Sequence, residues 1–330
     1  MPARQGKPRR WIWIAIVVVI GAAALVMVGD VNKLGDRLAG FNWWTFVAAL
    51  GLALLNYAIR FFRWQLYLRH QKVSVPVASS ALVFGAGLSL SITPAKLGEL
   101  VKSYLLREMH GTSATATAPI VVAERVTDLI ALLLLAVVGV AAYGVETTLV
   151  LVAAGIVACG LVLLAWPRPT RAIINLVTRP KFTSRFRQPM HEMYAGLAGL
   201  CRPKLLIFAT LIAVPAWGAE CVGFAEIVNG FTGAQVDLGL AMVIYAATTI
   251  AGALSFLPGG LGVTEASMTI LLVQGAAQLD RAAAVDATLL TRLATLWFAV
   301  LLGLICLAFA RARIARLNPE SVRASGVSTN

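Results

Sequence analysis

The sequence predicts an all-α, polytopic integral membrane protein: six full spans plus two re-entrant helical hairpins, arranged as an inverted repeat. Three observations carry this. Hydrophobic residues make up 59% of the 330-residue chain and charged residues 13%, too little charge to keep a soluble protein of this size dispersed. Several apolar runs approach or exceed the roughly 20 residues that a helix needs to cross a bilayer. Finally, a proline–glycine break ending in a glutamate, followed by a lone arginine in the next apolar run, occurs twice. The first break is Pro94-Ala95-Lys96-Leu97-Gly98-Glu99, with Arg125 beyond it. The second is Pro258-Gly259-Gly260-Leu261-Gly262-Val263-Thr264-Glu265, with Arg292 beyond it. The prolines lie 164 residues apart and the arginines 167. Duplicated broken helices with ionisable groups at membrane depth mark a transporter-like binding site.

The elements follow in order. Trp11–Val28 is span 1; it follows Arg4, Lys7, Arg9 and Arg10 but is longer than a signal-peptide core and lacks a clean cleavage site. Span 2 runs from Trp43 to about Trp64, with Trp44 as an interfacial anchor. The Ser- and Gly-rich run Val77–Ile92 and the short polar helix Leu97–Met109 form the arms of hairpin one, broken at Pro94. Span 3 covers about Ala114–Tyr143 and span 4 about Thr147–Trp166. A basic linker over 167–203 carries Phe182, Phe186, Met190, Met193, Leu197 and Leu200, the spacing of an amphipathic helix lying at the interface. Span 5 is about Leu205–Val228, hairpin two Leu238–Gly275, and span 6 about Ala282–Ala310. Residues 319–330 read as a disordered tail. The whole is a single membrane domain with repeats at 43–143 and 204–310; counting hairpin arms as spans gives eight to ten membrane helices.

The net charge of +13 sits in the loops. With the N-terminus inside, 23 of the 28 Lys and Arg fall on cytoplasmic segments or inner ends, against three outside (Lys33, Arg37, Arg281) and two within spans. That bias places both termini in the cytoplasm and the chain in the inner membrane. It also accounts for the basicity without nucleic acid, for which no basic–aromatic module is present. Three complete spans separate the hairpins, so they enter from opposite sides and their tips meet near the midplane.

Arg125 and Arg292 each lie about eleven residues into a span, roughly 16 Å deep in a core of about 30 Å. An unpaired cation there costs about 2.5 kcal/mol or more, so each faces protein, water or a counter-ion. Glu124, Arg125 and Asp128 share a helix face and form a local acid–base cluster. The face around Arg292 offers Thr288, Thr291 and Thr295 but no carboxylate, so Glu265 is its natural partner and, by the repeat, Glu99 serves Arg125. Two readings stay open: a cavity receiving an anionic headgroup, or buried ion pairs that lock each hairpin to its span. Gly98, Gly259, Gly260 and Gly262 permit close approach of backbone to a ligand or to another helix. A helix starting after each proline would aim its N–H groups at the cavity. Arg60, Arg63, Lys96 and Glu220 are secondary candidates, Glu220 either as a proton-coupling carboxylate or, more simply, as a group solvated near the outer interface.

The four cysteines and three histidines form no cluster, so neither a metal site nor any other cofactor is implied. No nucleophile–base–orienter set, zinc motif or phosphate-binding loop is present, and the longest non-apolar segment is about 38 residues, so no enzyme activity is expected.

Arg60-Phe61-Phe62-Arg63-Trp64, both breaks, Glu124-Arg125-Val126-Thr127-Asp128 and Arg292 together resemble the membrane domain of lysylphosphatidylglycerol synthases and their stand-alone, flippase-like relatives. The resemblance covers about 43–310. It implies movement of a lipid with an anionic or polar headgroup between leaflets, without the lipid lysylation of the fused aminoacyl-transferase enzymes. Lys102 stands where many relatives place an arginine. The expected partners are membrane lipids. The alternatives are a non-catalytic scaffold for an envelope-lipid or glycolipid biosynthesis enzyme and an intramembrane lipid-modifying enzyme; oligomeric state is not encoded legibly.

Overall fold

The computed structural model describes residues 35, 37–143, 155, 158–160, 162, 166–180, 183–276 and 279–317. Span 1, most of span 4 and the tail 319–330 lie outside the described residues. Among the described residues the protein is helical and contains no strand.

The helices begin and end for local chemical reasons. Helix α1 (Trp43–His70) starts where the Asn42 side chain accepts a hydrogen bond from the Trp44 N–H, and its last turn carries Arg69 and His70, favourable to the helix dipole. Helix α2 (Val77–Leu88) follows Pro76. The break at Pro94 then opens a 3₁₀ segment, Pro94–Leu100, that leads into α3 (Val101–His110), closed by Gly111 in the left-handed region. The second arm of hairpin one therefore starts earlier than the Leu97 expected from sequence. The reason is local: Thr93 Oγ1 accepts from the Gly98 N–H at 2.6 Å and Lys96 turns the chain at φ +55°. Helix α4 (Ala114–Tyr143) matches span 3 as expected.

Among the described residues the basic linker holds two α-helices, α5 (Pro167–Val177) and α6 (Arg187–Leu200); Phe182, the first position of the expected amphipathic face, lies outside the described residues. Helix α6 also does not lie free at an interface. Leu200 is fully buried, and Gly196 lies so close to the Pro119 ring of α4 that a methyl group would meet it at 2.7 Å. Among the described positions of that face, Phe186, just before the helix, and Met190, in its first turn, keep the exposure expected at an interface.

The second half repeats the element order. Helix α7 (Pro203–Asn229) starts at a proline, and α8 (Leu238–Leu254) is capped by Asp237, whose carboxylate accepts from the Leu240 N–H. A 3₁₀ turn, Pro258–Gly260, precedes α9 (Val263–Gly275). Helix α10 (Arg281–Arg292), a π turn (Leu293–Trp297) and α11 (Phe298–Leu317) run on as one long rod. Among the described residues, four segments are long and apolar enough to cross a membrane: Trp43–His70, Ala114–Ala142, Pro203–Asn229 and Arg281–Leu317. They coincide with spans 2, 3, 5 and 6. The π turn carries no sequence signal; such insertions occur often at functional sites.

The packing is reciprocal. Helix α1 lies along α7; α4 lies along α8, as α11 lies along α2. The two proline breaks touch each other: a methyl group on Gly259 would meet Ile92 at 3.2 Å. Exchanging the halves maps the α4–α8 contact onto the α11–α2 contact and leaves the α1–α7 contact and the contact between the breaks as they are. Gly139 and Gly303 make the two crossings possible, since a side chain at either would strike the backbone of the facing helix.

Candidate functional site

The break at Pro94 brings Glu99 into the interior, 1% exposed, among three cations from three elements. Lys102 Nζ donates to its Oε2 at 3.1 Å and Arg125 Nη2 at 3.4 Å, while Arg60 Nη2 stands 3.7 Å from Oε1. Ser91 adds a hydroxyl at 3.4 Å. The expected Glu99–Arg125 pairing is therefore present but shared.

Glu124 does not join Arg125. It is wholly buried and accepts from Lys102 Nζ at 2.5 Å, so the single ammonium bridges Glu99 and Glu124. The lysine is itself wholly buried, 4.7 Å from the Trp64 ring centre, and fits because Gly87 leaves room for its stem. Asp128 accepts from Arg63 Nη2 at 2.7 Å and from the Trp217 indole at 3.0 Å, with Arg125 Nη2 at 3.1 Å from its other oxygen. Arg63 reaches Thr127 Oγ1 as well. Arg60 and Arg63 are thus interior groups, 3% and 0% exposed, not the inner-end charges of the topology count. Arg125 and Arg292 are not the only cations drawn into the interior.

The second half is simpler. Arg292 Nε donates to Glu265 Oε1 at 2.6 Å and its Nη2 to the Gly259 carbonyl at 2.5 Å. Glu265 Oε2 accepts from the Gly262 N–H at 2.7 Å. The Arg292–Glu265 pairing expected from the sequence is present, and at the start of α9 the Gly262 N–H is directed at Glu265. Gly260 serves helix contact, because a methyl group there would meet the Gly252 backbone at 2.9 Å. At the first break, Gly98 is hemmed in by Leu90 and Thr93. Pro94 and Pro258 each open a 3₁₀ turn.

Between the two breaks lies a cavity of about 330 Å³. Its polar wall includes Arg60, Lys96, Arg125, Asp128, Glu220 and Arg292, contributed by both halves. Its apolar wall includes Val121, Val122, Leu132 and Leu296, and its rim includes the exposed Phe256 and Leu257. Arg125 and Arg292 keep 19% and 14% of their side-chain surface, whereas Arg63 and Lys102 keep almost none. Lys96 stands 5.3 Å from the Trp217 ring centre and has no carboxylate within ion-pair distance among the described residues. Arg60 Nε and Nη2 have no hydrogen-bond partner among the described residues.

Glu220 is not solvated near an interface: it is 6% exposed, lines this cavity, and accepts a 2.5 Å hydrogen bond from the Tyr245 hydroxyl. Tyr57, on the same wall, donates to the Thr295 carbonyl in the π turn at 2.8 Å. Sequence reasoning missed Tyr57, Trp217 and Tyr245, aromatic residues inside apolar runs with nothing to separate them from core. It undervalued Lys102, whose i,i+3 spacing from Glu99 was the available signal.

Residues 12–303 match the family described as the lysylphosphatidylglycerol synthase TM region. The chain is also similar to a UPF0104 membrane protein of Methanothermobacter thermautotrophicus, 23% identical over 318 residues that cover 88% of this chain and 93% of that protein. With a match across nearly all of its length, the chain belongs to the lysylphosphatidylglycerol synthase TM region family.

Proposed function

We propose that this protein is a non-catalytic lipid translocase of the inner membrane, which receives an anionic or polar headgroup in the cavity between its two proline breaks. The observation that carries the reading is the shared wall: Arg125 and Arg292, one from each half, both line the cavity and both retain exposed surface. Two partly uncovered guanidiniums facing one space at membrane depth suit a phosphate oxygen set. A volume of about 330 Å³ lies at the small end of ligand cavities, which run roughly 300–1,000 Å³, so it suits a headgroup whose acyl chains stay outside. The exposed Phe256 and Leu257 on the rim offer those chains an apolar surface. The reciprocal pairing of α2 with α11 and α8 with α4 supports two re-entrant hairpins in inverted repeats, with alternating access about the contact between their tips.

The test is reconstitution into vesicles. Arg125→Ala and Arg292→Ala should fold and bind detergent normally, yet lose leaflet-to-leaflet transfer of a fluorescent anionic lipid. Wild-type transfer by both folded variants would sink the reading.

A second reading, a scaffold for a lipid-biosynthesis enzyme, is favoured by one observation: Arg63, Lys102, Glu124 and Asp128 form a closed ionic core. On that reading the arginine variants would lose folding rather than transport.

A further inference from the structure

Two groups in the cavity wall stand apart from the ion-pair network. Lys96 has no carboxylate within 4.0 Å, and Glu220 has no cation within 4.0 Å, among the described residues. They are neighbours in space. Lys96 lies over the Trp217 ring, and Trp217 and Glu220 are three residues apart on α7, on one face of that helix. The first-half cluster itself is unbalanced. Arg60, Arg63, Lys96, Lys102 and Arg125 give five cations, against three carboxylates from Glu99, Glu124 and Asp128, an excess of 5 − 3 = 2 positive charges. Among the described residues Glu220 is the remaining acid on that wall available to offset the excess. The pair Arg292–Glu265 is balanced within itself.

We propose that Glu220 is the proton-coupling carboxylate of the headgroup site: an anion that settles against Arg60, Lys96 and Arg125 takes over its charge-balancing role, and Glu220 then binds a proton. The inference rests on the headgroup reading above and adds to it the source of coupling. Its physics is a buried carboxylate with, among the described residues, one hydrogen-bond donor and no contact cation. Such a group stays ionised only through positive potential from a distance, and a second anion in the same low-dielectric cavity cancels that potential. The groups facing Glu220 are Tyr57 and Arg60 from α1, Lys96 from the first break, Asp128 from α4 and Tyr245 from α8, with Cys221 beside it. Of these the Tyr245 hydroxyl donates to the carboxylate directly. No covalent step is involved; the proton comes from water and returns to it when the anion leaves.

The sign follows from linkage. Anion binding raises the proton affinity of Glu220, so lower pH strengthens anion binding, by at most about tenfold per pH unit for one proton. Two probes that do not titrate near neutrality separate a free anion from a lipid: sulfate, and dihexanoyl phosphatidylmethanol in detergent micelles. Calorimetric titration of the purified protein in two buffers of different ionisation enthalpy counts protons taken up per anion bound. The wild type should take up about one proton per anion near the coupling midpoint and bind more tightly as pH falls. Glu220→Gln should bind either probe with no uptake and a flat pH profile. Tyr245→Phe, which removes the donor to the ionised form, should show reduced uptake because Glu220 is protonated beforehand. Uptake with the lipid alone assigns the site to headgroups; uptake with both assigns it to the shared anionic group. Binding without uptake in the wild type, or equal uptake by Glu220→Gln, overturns the coupling and leaves the headgroup reading standing. Binding of neither probe overturns the headgroup reading, and the coupling with it.

Discussion

Lys102 Nζ lies 2.5 Å from Glu124 Oε2, and both side chains are shut off from solvent. The same ammonium holds Glu99 at 3.1 Å. One lysine on a ten-residue helix thus ties the first break to α4, which carries Arg125.

Removing that lysine leaves two buried carboxylates short of a partner, and breaking a buried pair from one side costs about 3–5 kcal/mol. Lys102→Met is therefore expected to lower thermal stability in detergent by that order. Adding Glu124→Gln removes one stranded charge and should recover part of the loss. A double-mutant cycle on unfolding free energies measures the coupling, and additive effects would contradict the bridge.

Gly303 of α11 faces the backbone of Leu88 and Ser89, with the Ser89 nitrogen as its nearest neighbour. Backbone cannot move aside as a side-chain tip can, so Gly303→Ala forces α2 and α11 apart. The expected cost is about 1–3 kcal/mol, the usual penalty for overpacking. Gly51 on α1 has nothing within 4 Å of an added methyl group, so Gly51→Ala serves as the matched control, within about 1 kcal/mol of wild type. Thermal unfolding of the two variants side by side decides the matter.

Gly259 sits at φ +61° in the contact between the breaks, and its carbonyl accepts from Arg292 Nη2. Gly259→Ala meets a left-handed backbone penalty of about 1–2 kcal/mol and crowds Ile92 and Leu296, each 3.2 Å from the new methyl carbon. Lipid transfer should fall more than stability does, because the shift acts on the tip contact and on Arg292 directly. Transfer rate and unfolding temperature, measured on the same preparation, separate the two effects.

The sequence by itself determined spans 2, 3, 5 and 6, the two breaks and the Arg292–Glu265 partnership. Those features follow from local rules: an apolar run must satisfy its backbone internally, proline and glycine interrupt it, and a lone arginine at depth requires an acid. It did not determine which acid meets which base in the first half. Glu124, Arg125 and Asp128 share one face of α4, but Lys102 on α3, Arg63 on α1 and Trp217 on α7 decide how they are divided. Residues 22 to 89 positions apart meet only when four elements pack, and periodicity is silent on that distance. The same limit hid Glu220. Nine residues before the end of its helix, it read as a group near an interface, and only the approach of α8, placing Tyr245 on it, put it inside a cavity. Local chemistry placed the charges in the membrane; long-range packing chose their partners and left Arg125, Arg292, Lys96 and Glu220 facing a common space.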